Sequence, residues 1–316
     1  MKTVLVLIPV QEKHKKILES ATPTVKLVYE NPKTVSAVQV QTSEIIMGYP
    51  QPDLLKDSQK LEWLQLQSAG VGPYAKEGVL PKGVILTTAI GSYGVAIAEN
   101  MLGVLLELYK NLHTYRDLQA EKKWFPLEKA KAIYNSTALI IGAGDAGGEF
   151  AKLLKAFGAY VIGIKRTLSS KPDYFDEIHE PDKLDILLPK ADIVGMCLPG
   201  TEQTKKIINE RTLNIMKPDA VLINAGRGSC IDEDALCSAL EKGHLYGAAL
   251  DVFSTEPLPM ESRLWKIKNL ILTPHIFGGL RISETLDRMV NLFAKNLAAY
   301  IEGKPLVSVY DPARGY

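Results

Sequence analysis

Cysteine is scarce in this chain. Three in 316 residues (Cys197, Cys230 and Cys237) are too few and odd in number for a disulfide framework, and their spacing matches no metal-ligand pattern. A reducing, cytoplasmic setting and no metal site are therefore expected. Charge of one sign is also lacking. With 37 Lys and Arg against 36 Asp and Glu, the net charge is +1, which removes the general electrostatic case for nucleic acid or a membrane surface. No apolar run approaches the roughly 20 residues that cross a bilayer. The opening MKTVLVLIPVQEKHKK has only a strand-length apolar run, without the longer core and small-residue cleavage site of a signal peptide. Low-complexity tracts and short repeats are absent too.

What remains is the composition of an ordinary globular protein, 46% hydrophobic and 23% charged, long enough for two domains with sizeable cores. The first part alternates strand-like and helix-like segments. Val4–Ile8, Val25–Tyr29, Ile45–Met47, Trp63–Leu66 and Val84–Leu86 read as short buried strands, as in a parallel sheet covered on both faces. Residues 95–118 read as one long apolar-rich helix. A second alternating series follows, with strands at Ala138–Ile141, Tyr160–Ile164, Ile193–Met196, Ala220–Ile223, Gly247–Leu250 and Leu270–Leu272. Asp232–Lys242 has acids at its start and Lys242-Gly243 at its end, a helix with dipole-matched ends and a glycine cap. A last helix is expected over about Ser283–Glu302. The fold class is α/β: two Rossmann-like or flavodoxin-like domains with parallel sheets and a cleft between them.

The most informative stretch is ALIIGAGDAGGEFAKLLKAFGAYVIGIKR, residues 138–166. It reads as strand, glycine turn, helix, strand. Gly142 suits the tight turn, Gly144 a close approach of backbone to a pyrophosphate, and Gly147 close packing of helix on strand. The helix N-terminus then offers free N–H groups to phosphate. A dinucleotide site is expected. An acid that would hold adenosine ribose hydroxyls is missing from the end of the second strand. Lys165, Arg166 and Thr167 stand there, and no acid appears before Asp173. Two cations and a hydroxyl suit the 2′-phosphate of NADP, so NADP is expected as the preferred cofactor, with NAD possible.

Three residues lie just past later strands: Arg227 in NAGRG, Glu256 in DVFSTEP and His275 in TPHIFG. In an open α/β sheet, ligands bind at the carboxyl ends of strands. A guanidinium can grip a carboxylate in bidentate fashion. An imidazolium can protonate a carbonyl oxygen as hydride arrives. A neighbouring carboxylate orients that ring and favours its protonated form. Of the five histidines, His275 alone is read as standing in a strand-end motif of the nucleotide half with an acid partner.

With these residues the chain resembles the D-isomer-specific 2-hydroxyacid dehydrogenase family. The matching pieces are GAGDAGG (142–148), CLPGTEQT (197–204), MKPDAVLINAGRGSCIDEDAL (216–236), GAALDVFSTEPLP (247–259), NLILTPHIFG (269–278) and LQLQSAGVG (64–72). TEPLPMESRLW and the basic strand end resemble the NADPH-using glyoxylate/hydroxypyruvate reductase branch. The resemblance implies Arg227, Glu256 and His275 as the catalytic three. It implies Tyr49, Ala69, Gly70 and Val71 at the substrate, together with Arg227 and His275, and Phe277 as a bulky pocket wall. Gly142, Gly144, Asp145, Ala146, Gly147, Lys165, Arg166, Thr167, Leu198, Pro199, Thr204, Ala225, Gly226 and Asp251 would line the cofactor. Leu168 stands where some NADP-using relatives carry a second Arg. The implied domains are 1–98 plus 284–316 for substrate and 99–283 for dinucleotide. A homodimer is implied, with Trp124 reaching the neighbouring subunit. The expected activity is reduction of a small 2-oxo acid to the D-2-hydroxy acid. The alternatives are a 3-phosphoglycerate dehydrogenase, which would favour more cations near the substrate loop than Lys76, and a non-enzymatic dinucleotide-sensing corepressor, which would favour extended tails.

Overall fold

The computed structural model describes residues 1–167 and 171–312; Leu168 lies outside the described residues. The chain divides into two units, Met1–Tyr93 with Gly279–Tyr316, and Gly94–Gly278. The family resemblance implies crossings at 98/99 and 283/284.

The first unit is built from β1 (Thr3–Val6), α1 (Glu12–Ala21), β2 (Lys26–Tyr29), α2 (Ala37–Thr42), β3 (Ile45–Met47), α3 (Pro52–Leu55), β4 (Trp63–Gln65) and β5 (Ile85–Thr87), joined by the C-terminal helix Ser283–Ile301. Its five strands are all parallel, in the order β2-β1-β3-β4-β5. Successive side chains of a strand point to opposite faces, and both faces here are apolar. Val4, Val6, Ile45, Met47 and Trp63 pack under the C-terminal helix residues Met289, Val290, Phe293 and Leu297. Leu5, Leu7, Ile46 and Leu64 pack with Val40, Leu55 and Tyr74 on the other side. The returning helix is also held by a polar lock. Buried Asn296 donates to Gln65 Oε1 at 2.9 Å and accepts from the Val307 N–H at 2.9 Å.

In the second unit the expected helix over 95–118 is two helices, α4 (Gly94–Tyr109) and α5 (Leu112–Ala120). Asn111 breaks it with a left-handed φ of 55°, a conformation Asn tolerates better than most residues. The burial pattern gives the reason. Met101, Leu105, Leu108 and Tyr109 of α4 enter the core, whereas α5 buries nothing. The elements after it are β6 (Thr137–Ile141), α6 (Asp145–Ala156), β7 (Tyr160–Ile164), β8 (Glu177–His179), α7 (Leu184–Leu187), β9 (Ile193–Met196), α8 (Glu210–Ile215), β10 (Val221–Asn224), α9 (Glu233–Glu241), β11 (Gly247–Leu250) and β12 (Leu270–Leu272). The edge strand β8 was missed in the sequence. Glu-Ile-His has no apolar run, and its pairing with β7 exists only in three dimensions.

All seven strands are parallel, in the order β12-β11-β10-β9-β6-β7-β8. The order reverses between β6 and β9, which is the place where such sheets bind ligands. Leu139, Ile141, Val194, Met196 and Leu222 face α8 and α9, while Ala138, Ile140, Ile193, Val221 and Ile223 face α4 and α6. Helix α9 has its expected ends: the Asp232 carboxylate accepts from the Ala235 N–H at 3.2 Å, and Gly243 adopts φ 67°.

Candidate active site

The glycine turn occupies the switch point. Gly142 has φ 102°, and a Cβ there would meet the Cys197 carbonyl oxygen, at the end of β9, at 2.7 Å. A Cβ on Gly147 would lie 2.2 Å from the Gly142 oxygen. A Cβ on Gly144 would meet nothing within 4 Å. Two glycines thus allow chain to pass chain, while the third leaves open space at the N-terminus of α6. These residues fit a dinucleotide pyrophosphate. The Asp145 carboxylate, in the first turn of α6, lies so close to Gly94 that a Cβ there would come within 2.6 Å of it. That places it beside the start of α4, where the helix dipole favours an anion.

The adjoining loops pack against this turn. A Cβ on Gly226 would lie 2.6 Å from the Leu198 oxygen. Thr204 Oγ1 donates to the Pro199 carbonyl at 2.6 Å and accepts from the Thr201 N–H at 2.9 Å, folding the loop after β9. The Ala225 N–H donates to the Met196 carbonyl at 3.0 Å. Lys165 follows β7, with its main-chain N–H on the His179 carbonyl at 2.9 Å; Arg166 and Thr167 beyond it are exposed.

Arg227, Glu256 and His275 come together. His275 Nδ1 and Glu256 Oε2 are 2.8 Å apart, and Glu256 Oε1 accepts from the Phe253 N–H at 3.0 Å. Burial pushes the Glu256 carboxyl upward. The hydrogen bonds from His275 and Phe253, with the charges of His275 and Arg227, outweigh that and hold it below the usual carboxylate range. The His275 side chain is half exposed, 50%, so the ring is accessible. Arg227 is seated between two glycines that no other residue could replace in place: a Cβ on Gly228 would lie 1.9 Å from the Phe253 carbonyl carbon.

Two polar anchors behind the site were missed in the sequence. Buried Asn224 accepts from the Gly226 N–H and donates to the Arg227 carbonyl, both at 3.0 Å, and so shapes the turn that presents the guanidinium. Thr273 Oγ1 donates to Asp251 Oδ1 at 2.7 Å. The only signal for either was a polar residue at the end of an apolar strand. Asp251, expected along the cofactor, is 2% exposed. Its carboxylate is shared by Thr273 and the N–H groups of Ile276, at 2.8 Å, and Phe277, at 3.0 Å, and its carbonyl accepts from the His275 N–H at 2.9 Å. Burial raises its pKa despite these donors.

Phe277 requires a correction. Its side chain is 2% exposed and packs in the core with Phe150, Ala249 and Met101, so it walls no pocket. Asp251 pins its N–H and Asn100 donates to its carbonyl at 3.1 Å, turning the ring inward. A second correction concerns histidines with acid partners. His179 at the end of β8 also meets one, Glu177, at 2.5 Å.

In the first unit, Tyr49 and the 68–72 turn follow neighbouring strands, β3 and β4. Tyr49 stacks on Tyr74 with ring centroids 5.7 Å apart. The Ser68 hydroxyl donates to the Gly70 carbonyl, and the Ala89 N–H to the Ser68 carbonyl at 2.8 Å. Among the described residues, nothing accepts from the N–H groups of Ala69, Gly70 or Val71. Successive main-chain donors of this kind suit an anion.

A parallel sheet with a glycine turn at its switch point, and an acid-paired histidine beside an arginine at strand ends, defines a nucleotide-dependent oxidoreductase. The profile of the family described as D-isomer specific 2-hydroxyacid dehydrogenase, NAD binding domain, matches residues 102–276, and the chain belongs to this family. It is similar to a glyoxylate reductase of Thermococcus litoralis, 33% identical over 80% of this chain and 77% of the relative. It is also similar to a D-3-phosphoglycerate dehydrogenase of Methanocaldococcus jannaschii, 29% identical over 80% of this chain and 48% of the relative. Among solved structures, a D-isomer specific 2-hydroxyacid dehydrogenase family protein of Aeromonas salmonicida superposes with a TM-score of 0.86, at 31% identity over 98% of this chain and 99% of the other. An NADPH-dependent glyoxylate/hydroxypyruvate reductase of Sinorhizobium meliloti, in complex with NADP and sulfate, superposes with a TM-score of 0.83, at 26% identity over 100% of both chains. The chain is thus an NAD(P)-dependent oxidoreductase of the 2-hydroxyacid class. Among the described residues, no helix is long and apolar enough to cross a membrane.

Proposed function

We propose that this protein reduces a small mono-anionic 2-oxo acid, such as glyoxylate or hydroxypyruvate, with NADPH preferred over NADH. The observation that carries the reading is the 2.8 Å contact of His275 Nδ1 with Glu256 Oε2, on a carboxylate that also feels the Arg227 charge. Glu256 takes Nδ1, so Nε2 is the ring atom left to give a proton to the carbonyl oxygen. Arg227 grips the substrate carboxylate, and the N–H groups of Ala69, Gly70 and Val71 are assigned to the same anion by the family resemblance. Asp251 positions rather than reacts: it ties down the loop that holds His275. When bound, the nicotinamide cofactor supplies the hydride. Gly142, Gly144, Ala146 and Gly147 hold its pyrophosphate, and Lys165, Arg166 and Thr167 meet its 2′-phosphate. Support for NADP comes from that basic strand end and from the Sinorhizobium meliloti reductase with NADP bound.

A phosphorylated substrate would need a second cationic site, since a buried unpaired phosphate is costly. The segment 68–78 offers only Lys76, which is exposed. The test is a panel of glyoxylate, hydroxypyruvate and 3-phosphohydroxypyruvate with NADPH and NADH, followed by absorbance loss. The two unphosphorylated acids should be far the better substrates. If the phosphorylated acid leads, the phosphoglycerate dehydrogenase reading replaces this one. We also infer a homodimer, from the exposed apolar side chains Leu112, Tyr115, Trp124, Phe125 and Tyr134 on α5 and the segment after it. A cytoplasmic, reducing setting agrees with the free thiols of Cys197, Cys230 and Cys237.

A further inference from the structure

The turn after β4 presents the N–H groups of Ala69, Gly70 and Val71 with no acceptor among the described residues. Such a row attracts an anion only if the neighbouring carbonyls, the negative ends of the same peptide dipoles, are held away from it. The carbonyls here are largely engaged. That of Leu66 accepts from the Gln65 side-chain amide at 3.2 Å. That of Ser68 accepts from the Ala89 N–H at 2.8 Å, that of Gly70 from the Ser68 hydroxyl, and that of Val71 from the Tyr74 N–H at 3.1 Å. The Gln67 carbonyl, which leads into the turn, accepts from the Tyr93 hydroxyl. Of these donors, Tyr93 is the side chain that reaches the turn from another loop.

The loop that carries Tyr93 is braced. It follows β5. Gln65, buried at the end of β4, donates to its Thr88 carbonyl at 2.9 Å. The Ser92 N–H closes a turn on the Ala89 carbonyl at 3.1 Å, with Gly91 at φ 95°, and Tyr93 follows directly. The Tyr93 ring packs against the core that contains Ala89, Leu286 and Met289. Burial and the neighbouring Tyr49 push its phenol above the ordinary tyrosine range. The hydroxyl therefore keeps its proton, and remains a donor, at neutral and mildly alkaline pH.

We propose that Tyr93 is a positioning residue for the substrate carboxylate: by holding the Gln67 carbonyl, it orients the peptide that leads into the turn and keeps donors, not acceptors, toward the anion. This rests on the reading that the Ala69–Val71 turn holds that carboxylate. Tyr93 acts through the main chain and not on the reacting atoms. Without its hydroxyl, the Gln67 carbonyl is free to swing its negative end toward the bound anion. The carboxylate keeps its charge throughout hydride transfer, so the loss weakens substrate and transition state alike. Such a loss raises KM and leaves kcat in place.

The test compares the parent with Tyr93→Phe, which removes the hydroxyl and keeps the ring. Glyoxylate and hydroxypyruvate are reduced with saturating NADPH, and inhibition by oxamate, a carboxylate shaped like a 2-oxo acid, is measured beside them. In the variant, KM for each acid and the inhibition constant of oxamate should rise together by about fivefold, the scale of one neutral hydrogen bond. The value of kcat should stay within about twofold, and NADPH affinity should match the parent, which shows that the variant is folded. An unmoved KM overturns the proposal, as does a rise in KM that oxamate does not share. A fall in kcat at constant KM would place the hydroxyl at the reacting atoms, and a loss of NADPH affinity would make Tyr93 a structural residue; either result also overturns it. If the parent reduces neither acid, the reading of the reaction fails and the role of Tyr93 falls with it. If the parent reduces them and Tyr93→Phe behaves like the parent, only the role of Tyr93 falls.

Discussion

His275 has φ 53°, in the left-handed region that non-glycine residues seldom adopt. Such a backbone persists where surrounding contacts over-determine it, and here Asp251 supplies them from its carbonyl and both carboxylate oxygens. The strand-end motif made His275, Glu256 and Arg227 legible as a set. The inward turn of Phe277 and the anchoring by Asn224 and Asp251 were not, because a one-dimensional pattern does not say which side of a loop meets the core. His275→Ala should lower kcat by about 10²-fold or more, the range of a lost general acid, with NADPH affinity little changed; fluorescence titration of NADPH beside turnover measures both. Arg166→Asp should shrink or reverse an NADPH preference of about tenfold, or about 1.4 kcal/mol, read as the ratio of kcat/KM for the two cofactors. Glu256 supplies a pH prediction. Its pKa in the folded protein is lowered from 4.5, so its stabilising contribution is full above that value and is lost as pH falls through the depressed one. The stability gap between the parent and Glu256→Gln should hold steady from neutrality to about pH 5 and close in more acid solution. A gap independent of pH would contradict the pairing.

The elements were read best where apolar runs are long enough to announce a strand buried on both faces. β6, β7, β9 and β11 fall where their sequences place them, with shifts of a residue at most. The helix over 95–118 misled because its composition is continuous while its burial is not. α4 is core and α5 is surface, and Asn111 provides the hinge. Short β8 was hidden, since an edge strand of three residues borrows its identity from β7. At this scale the glycine turn makes a sharp prediction. A methyl at position 147 would overlap the Gly142 oxygen, so Gly147→Ala must push α6 away from β6. NADPH binding should weaken by at least tenfold, about 1.4 kcal/mol, while far-ultraviolet circular dichroism stays close to the parent. Unchanged cofactor affinity in that variant would show that the turn does not cradle the pyrophosphate.

At the scale of the whole molecule, Trp124 is 100% exposed and Phe125 and Tyr134 are also open to solvent. Contiguous exposed apolar patches mark interfaces, and these side chains are where the proposed homodimer contact is placed. Sedimentation at micromolar concentration should give a dimer, and Trp124→Ser with Phe125→Ser should weaken it; a stable parent monomer refutes the assembly. The sequence by itself determined the α/β class, the glycine turn, the basic end of β7 and the three strand-end residues, because each depends on local periodicity or on a motif a few residues long. Only the tertiary structure decided that Glu256 meets His275, that Asp251 serves the histidine loop and that Phe277 belongs to the core. Those relations join residues far apart in the chain through the register of parallel strands, and no local pattern encodes which loops that register sets side by side.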